Sequence, residues 1–195
     1  WSSDVCSSDL FTPESFNSIK SSQTSFIKVS DINALTKQLN YCIQEQFTGQ
    51  LDLQFENSQQ WTLHFHLGCL LWGAGGLHPN RRWCRQLHQY CPKLAVEAHK
   101  QPEDWPLYLD YGALTALLEE GKVQINEVQS VVNGLIVEIL FDVFQQWALS
   151  GYASELKLIF KYSHSDSFAS SLVTTPVYFA LSQAIPRWQA WRKCG

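Results

Sequence analysis

The stretch from Ile125 to Leu149 constrains the fold of this chain more than any other part of the sequence. Its apolar residues recur every three or four positions, which is the spacing of one face of an α-helix. They are Val128, Val131, Val132, Leu135, Ile136, Ile139, Leu140, Val143, Phe144 and Trp147. We therefore predict a long helix with one broad buried stripe, ended by Gly151.

Three runs with alternating apolar residues precede this helix and predict an antiparallel meander. The runs are QLDLQFE from Gln50, WTLHFHL from Trp61 and LLWGAGG from Leu70. In a strand this alternation places every second side chain on the same face. Turns are expected at Asn57-Ser58 and Gly68-Cys69. ELKLIFKY, from Glu155, is a further alternating run and predicts one later strand.

The remaining periodic segments predict helices around the sheet. One helix is capped by Asp31 and extends to about Gln46, and a short one begins at Pro79 and ends at Cys91-Pro92. After a loop with Pro102 and Pro106, further helices are expected over Leu107–Glu120 and Pro176–Lys193. The predicted class is α+β: a small antiparallel meander sheet plus one later strand, packed with several helices.

Composition limits the function classes that the chain can serve. Its 45% hydrophobic and 16% charged residues are typical of a folded globular protein, and a net charge of −4 argues against a nucleic-acid partner. No apolar run is long enough to span a membrane, and no signal peptide is recognisable. We therefore expect a soluble cytoplasmic protein. Its irregularly spaced cysteines are expected to be reduced thiols.

Two groups of histidines and cysteines raise the possibility of a metal site. His64, His66 and Cys69 are close together around one strand, and Cys84, His88 and Cys91 are spaced at helical intervals. Imidazole and thiolate groups could hold zinc if the two groups converged. Without a C-x-x-C pair, solvated or packed side chains are the favoured interpretation. A metal- or small-ligand-binding sensor is the alternative function, and no metal or cofactor is predicted.

No arrangement of residues predicts catalysis. Gly73-Ala74-Gly75-Gly76 lacks the Lys-Ser/Thr of a phosphate-binding loop, so we expect a strand end that needs unusual backbone dihedrals. Glu138 and Asp142 lie one helical turn apart, opposite the apolar stripe. We expect them to lie on a solvated face.

The segment HPNRRWCRQ is the best candidate for an interaction surface. Arg81, Arg82 and Arg85 surround Trp83 in an otherwise acidic chain, and arginine and tryptophan are frequent interface anchors. The alternative is a surface helix whose Trp83 packs inward while its arginines are solvated. RNA binding is a third interpretation, which the net charge disfavours.

Several stretches together resemble the PATAN domain of PatA-type cyanobacterial response regulators. They are FTGQLDLQF from Phe47, WTLHFHLGCLLWGAGGLHPNRRW from Trp61, QLHQYCP from Gln86 and the long stretch from Trp105 to Gln146, which includes EILFD at 138–142. The resemblance covers roughly Ser25 to Trp191. The combination of the FTG hairpin, the HPxRRW helix and the ILFD helix is specific, whereas each motif alone would be weak.

The resemblance implies a non-enzymatic interaction or output domain in two-component signalling. In the family this domain precedes a receiver domain that accepts phosphate, and members are linked to phototaxis through type IV pili and to cell-pattern control. The expected partners are proteins, including pilus motor or assembly components. The family supplies no catalytic or cofactor-binding motif. The interaction candidates therefore rest on the residues themselves: Arg81, Arg82, Trp83 and Arg85.

The first ten residues, WSSDVCSSDL, resemble a translated sequencing adapter rather than part of a domain. Without Asp4 and Asp9 the net charge changes from −4 to −2. We expect a poorly ordered lead-in over residues 11–24, with no regular period up to about residue 30. The PATAN domain is predicted over 25–195 with its core at about 31–162. The helix over 176–193 would lead to a receiver domain that the sequence lacks.

Overall fold

The computed structural model describes residues 24–56, 59–95, 111–150, 155–163 and 173–194. In chain order the elements are β1 (Thr24–Val29), α1 (Ile32–Gln44), β2 (Gly49–Phe55), β3 (Gln60–His66), β4 (Cys69–Gly75), α2 (Pro79–Tyr90), α3 (Tyr111–Glu119), α4 (Ile125–Leu149), β5 (Leu156–Tyr162) and α5 (Val177–Cys194). The predictions for residues 1–23, Asn57-Ser58, Pro102, Pro106 and Gly151 lie outside these ranges.

The five strands form one antiparallel sheet in the order β1-β5-β2-β3-β4. The α+β class is therefore confirmed, as are the β2-β3-β4 meander and the later strand β5. β5 pairs with β2 on one side and β1 on the other, so Leu158 lies opposite both Leu53 and Ile27. The sequence did not predict the edge strand β1. Its Phe26 is 57% exposed, so an apolar residue lies on the outer face and obscures the alternation of apolar and polar residues.

The core lies between one face of the sheet and α4. All ten residues of the predicted stripe are buried, and α4 contacts β3, β4, α2 and α5. Gly73 of β4 permits this approach, because a Cβ at that position would lie 2.5 Å from Cδ1 of Ile139. The helix therefore rests directly on the sheet.

Local signals placed most element boundaries correctly. Asp31 caps α1 through Oδ1, which accepts a hydrogen bond from the backbone N–H of Ala34 at 2.8 Å. Gly75 and Gly76 have φ angles of 90° and 81°, the unusual dihedrals predicted for this strand end. The β3–β4 turn is Leu67-Gly68 instead of Gly68-Cys69, since both of its residues have positive φ and Cys69 already pairs with His66. Among the described helices, none has the length and apolar character needed to cross a bilayer.

Candidate interaction surface formed by α2, α4 and α5

The four candidate residues of α2 divide into two pairs by exposure. Arg81 and Arg85 lie one turn apart on an exposed stripe, and the side chain of Arg85 is 60% exposed. Arg82 is only 3% exposed, and Trp83 is buried with its ring centroid 5.9 Å from that of Trp72. Trp83 thus packs inward as one interpretation expected. The same interpretation placed all three arginines in solvent, and this was wrong for Arg82.

Arg82 is held by contacts to both the sheet and α4. Its Nη1 donates a hydrogen bond to the backbone carbonyl of Gly75 at 2.9 Å, and its Nη2 forms an ion pair with Oδ2 of Asp142. Its Nε lies 3.8 Å from Oε2 of Glu138. Hydrogen bonds that involve charged groups are stronger than neutral ones, so Arg82 fixes α2 against α4.

Glu138 is the second anchor between the two helices. Its Oε2 accepts a hydrogen bond from Nη2 of Arg85 at 2.6 Å, and its Oε1 accepts one from Nε2 of Gln86 at 2.6 Å. The bond to Glu138 raises the pKa of the Arg85 guanidinium, although partial burial opposes this. The Arg85 guanidinium therefore stays charged at neutral pH.

The expectation that Glu138 and Asp142 lie on a solvated face was wrong. Their side chains are 22% and 33% exposed, because α2 lies over that face of α4 and supplies Arg82 and Arg85 as partners. Sequence periodicity identifies the apolar side of a helix, but it does not show which element covers the opposite side.

The contacts also define how α2 and α4 run past each other. Gln86 meets Glu138 while Arg82 meets Asp142, so the two helices are antiparallel. Gly134 of α4 lies against Gln86, whose side chain would clash with any Cβ at that position. A glycine in the middle of a helix is thus explained by close helix packing.

A groove of about 270 Å³ lies beside these contacts, between α2, α4 and α5. It is lined by Arg85, Glu138, Phe141, Asp142 and Arg187. The Phe141 ring meets the edge of Trp191 of α5, with the ring centroids 6.4 Å apart. Neither Phe141 nor Arg187 was predicted as a site residue. The one local signal is on α5, where Arg187 lies one helical turn before Trp191, the residue that contacts Phe141.

The proposed metal-binding groups do not assemble in the described part of the chain. Neither the group of His64, His66 and Cys69 nor that of Cys84, His88 and Cys91 is placed to hold an ion with three such ligands. Cys91 is buried, and burial raises the pKa of its thiol to about 11, whereas Cys84 is exposed.

A buried carboxylate on the other face of the sheet was not predicted. Asp52 accepts hydrogen bonds at 2.7 Å from Gln50 and Thr62 and pairs with Lys161 at 2.7 Å. Burial alone would raise the pKa of Asp52, but the bonds from Lys161, Gln50 and Thr62 outweigh it and lower the pKa. Burial also lowers the pKa of nearby His64, which the charge of Asp52 partly opposes.

Comparisons of the chain with protein-family models, with curated proteins and with solved structures found no match.

Proposed function

We propose that the chain is a non-catalytic protein-interaction or output domain of a two-component response regulator, of the PATAN type. One observation carries the proposal: two of the stretches that resemble this family meet in space. HPNRRW, at 78–83, contacts EILFD, at 138–142, through the ion pair of Arg82 with Asp142. Contact between the two motifs gives a physical reason for both to occur in one domain.

The arrangement also suits a preorganised binding surface. Arg82 and Gln86 fix the inner side of α2, while Arg81 and Arg85 on its outer side face solvent. Arg85 is further oriented by Glu138. A side chain already held in place loses less conformational entropy on binding, so a partner can be bound more tightly. Arginines of this kind are frequent anchors of protein interfaces.

In this proposal the domain acts in the cytoplasm and binds protein partners rather than nucleic acid. The partners would be type IV pilus motor or assembly proteins in phototaxis, or components of a cell-pattern pathway. A receiver domain would control the surface by shifting the population of conformations that α5 adopts against α4. The contact of Phe144 with Trp188, with ring centroids 6.1 Å apart, is one place where such a shift would act.

The test is affinity capture with purified type IV pilus motor and assembly proteins. The double variant Arg81→Ala/Arg85→Ala should lose most of the binding and lower the melting temperature by only a few degrees, because Arg85 is largely exposed and Gln86 still holds Glu138. Arg82 is left unchanged, because removing a buried ion pair would confuse loss of binding with loss of folding.

The matched control is Lys37→Ala/Lys122→Ala, which removes the same charge from exposed positions. Lys37 lies on α1, and Lys122 lies in the loop before α4, where it pairs with Glu120. It should bind like the wild type. Equal capture of the wild type and the Arg81/Arg85 variant would exclude this surface as the binding site. No binding to any of these proteins would count against the pilus pathway.

A further inference from the structure

We infer that the groove between α2, α4 and α5 binds an acidic segment of a protein partner, with Arg187 as an anchor. The inference rests on the proposed function, because it assumes that the domain works through protein contacts. It goes beyond that function by naming the chemistry of the partner and by adding α5 to the surface.

The charges in the groove are not balanced. Asp142 is neutralised by Arg82 and Glu138 by Arg85. Arg187 lines the same groove, and neither it nor Arg81 forms an ion pair with any residue that the structure describes. Counted over the residues that the structure describes, the surface therefore carries surplus positive charge, although the chain as a whole has a net charge of −4. Such local complementarity selects negatively charged partners.

The groove also has an apolar component. Phe141 lines it and packs against Trp191, which lies one helical turn after Arg187 on α5. An arginine beside an aromatic surface suits a segment in which acidic side chains alternate with apolar ones. Guanidinium groups bind carboxylates through two parallel hydrogen bonds, which adds geometric specificity to the charge.

The same charges disfavour a nucleic acid in the groove. Glu138 and Asp142 line the groove together with Arg85 and Arg187, and both carboxylates keep part of their surface exposed. A phosphate backbone carries a charge at every nucleotide and would pass over them, whereas a peptide can place its acidic residues only at the arginines.

The experiment measures fluorescence anisotropy with the full chain and a short fluorescein-labelled peptide of alternating glutamate and leucine. Wild-type protein should bind it, with an affinity that falls as salt is added. Arg187→Glu should raise Kd about tenfold or more, and Arg187→Ala should have a smaller effect. Because Arg187 is exposed, both variants should keep the wild-type melting temperature.

The matched control is Lys37→Glu, which makes the same charge change on α1 and should leave Kd unchanged. Equal weakening by Lys37→Glu would show attraction to overall charge and overturn the inference, as would absence of peptide binding. Binding of a labelled oligothymidine that is tighter than that of the peptide, and lost in Arg187→Glu, would make the groove a nucleic-acid site and also overturn it.

Failure of this inference can be told apart from failure of the proposed function. If pilus proteins are captured but Arg187→Glu binds the peptide normally, the interaction domain stands and the groove is excluded. If the peptide binds through Arg187 but no pilus protein is captured, the acidic-partner inference stands and the pathway is wrong.

Discussion

Arg82 of α2 and Asp142 of α4 lie 60 positions apart in the sequence and form an ion pair in which the arginine is almost completely buried. The carboxylate is only partly covered, with 33% of its side chain exposed. The guanidinium also bonds to the end of β4 through Gly75. One side chain therefore joins the sheet, α2 and the central helix.

Replacing Arg82 should destabilise the fold strongly. Arg82→Ala would leave the Gly75 carbonyl without its donor and Asp142 without its partner, and we expect the free energy of unfolding to fall by about 3 kcal/mol. Urea denaturation measures this change. Arg81→Ala, one position earlier but exposed, should change stability by no more than about 0.5 kcal/mol. Similar losses in both variants would contradict a special role for the buried arginine.

Gly134→Ala should also destabilise the protein, although alanine is the better helix former by about 1 kcal/mol. Its Cβ would meet the Gln86 side chain, which is buried and donates to Glu138. Overpacking costs about 1–3 kcal/mol. Less the helix-propensity gain of about 1 kcal/mol, we expect a net loss of up to about 2 kcal/mol. In a Gln86→Ala background the same substitution should cost much less. A double-mutant cycle measured by thermal or urea denaturation gives this coupling, and additive effects would argue against the contact.

Leu67→Asn should stabilise the protein. Leu67 and Gly68 form a two-residue hairpin turn with φ angles of 48° and 77°, and Leu67 is 55% exposed. Asparagine tolerates this left-handed conformation better than leucine, so we expect a gain of about 1 kcal/mol in the free energy of unfolding.

The turn itself should survive the Leu67 substitution. The Leu67 N–H donates to Thr48 Oγ1 at 2.9 Å, and the Gly68 N–H donates to the Phe47 carbonyl at 2.9 Å. The control is Leu77→Asn, also exposed but without a positive φ, which should bring no gain. Equal stabilisation by both substitutions would indicate an effect of surface polarity instead of backbone conformation.

His64 should make the protein sensitive to mild acid. Burial lowers the folded-state pKa of His64 below its ordinary value of 6.5, and the charge of Asp52 only partly opposes this. Between the folded-state pKa and pH 6.5, His64 is protonated in the unfolded chain but stays mostly neutral in the folded protein. The contribution of His64 to stability is therefore fully present above pH 6.5 and is lost as the pH falls through the folded-state pKa.

His64→Gln should reduce the loss of stability between about pH 7.5 and pH 5, as followed by urea denaturation at each pH. His88→Gln replaces an exposed histidine and serves as the control for losing an imidazole. An unchanged slope in His64→Gln would mean that other groups cause the acid sensitivity.

Much of the fold followed from local patterns. The apolar stripe from Val128 to Trp147 predicted the buried face of α4, because a helix repeats every 3.6 residues whatever it packs against. Alternation likewise predicted β2, β3, β4 and β5. The short strand β1 was missed, since an edge strand needs only a few buried residues and its exposed Phe26 obscures the pattern. Family membership, partner and pathway stay predictions.

The sequence by itself determined every described helix and every strand except β1, together with the apolar faces of α4 and the meander, because these properties depend on the spacing of neighbouring residues. Only the tertiary structure decided that β5 lies between β1 and β2, and that Glu138 and Asp142 pair with arginines of α2 and are partly covered by them. It also brought Arg187 to the groove beside Arg85. These relationships join segments far apart in the chain. They depend on how whole elements pack together, which local periodicity does not encode.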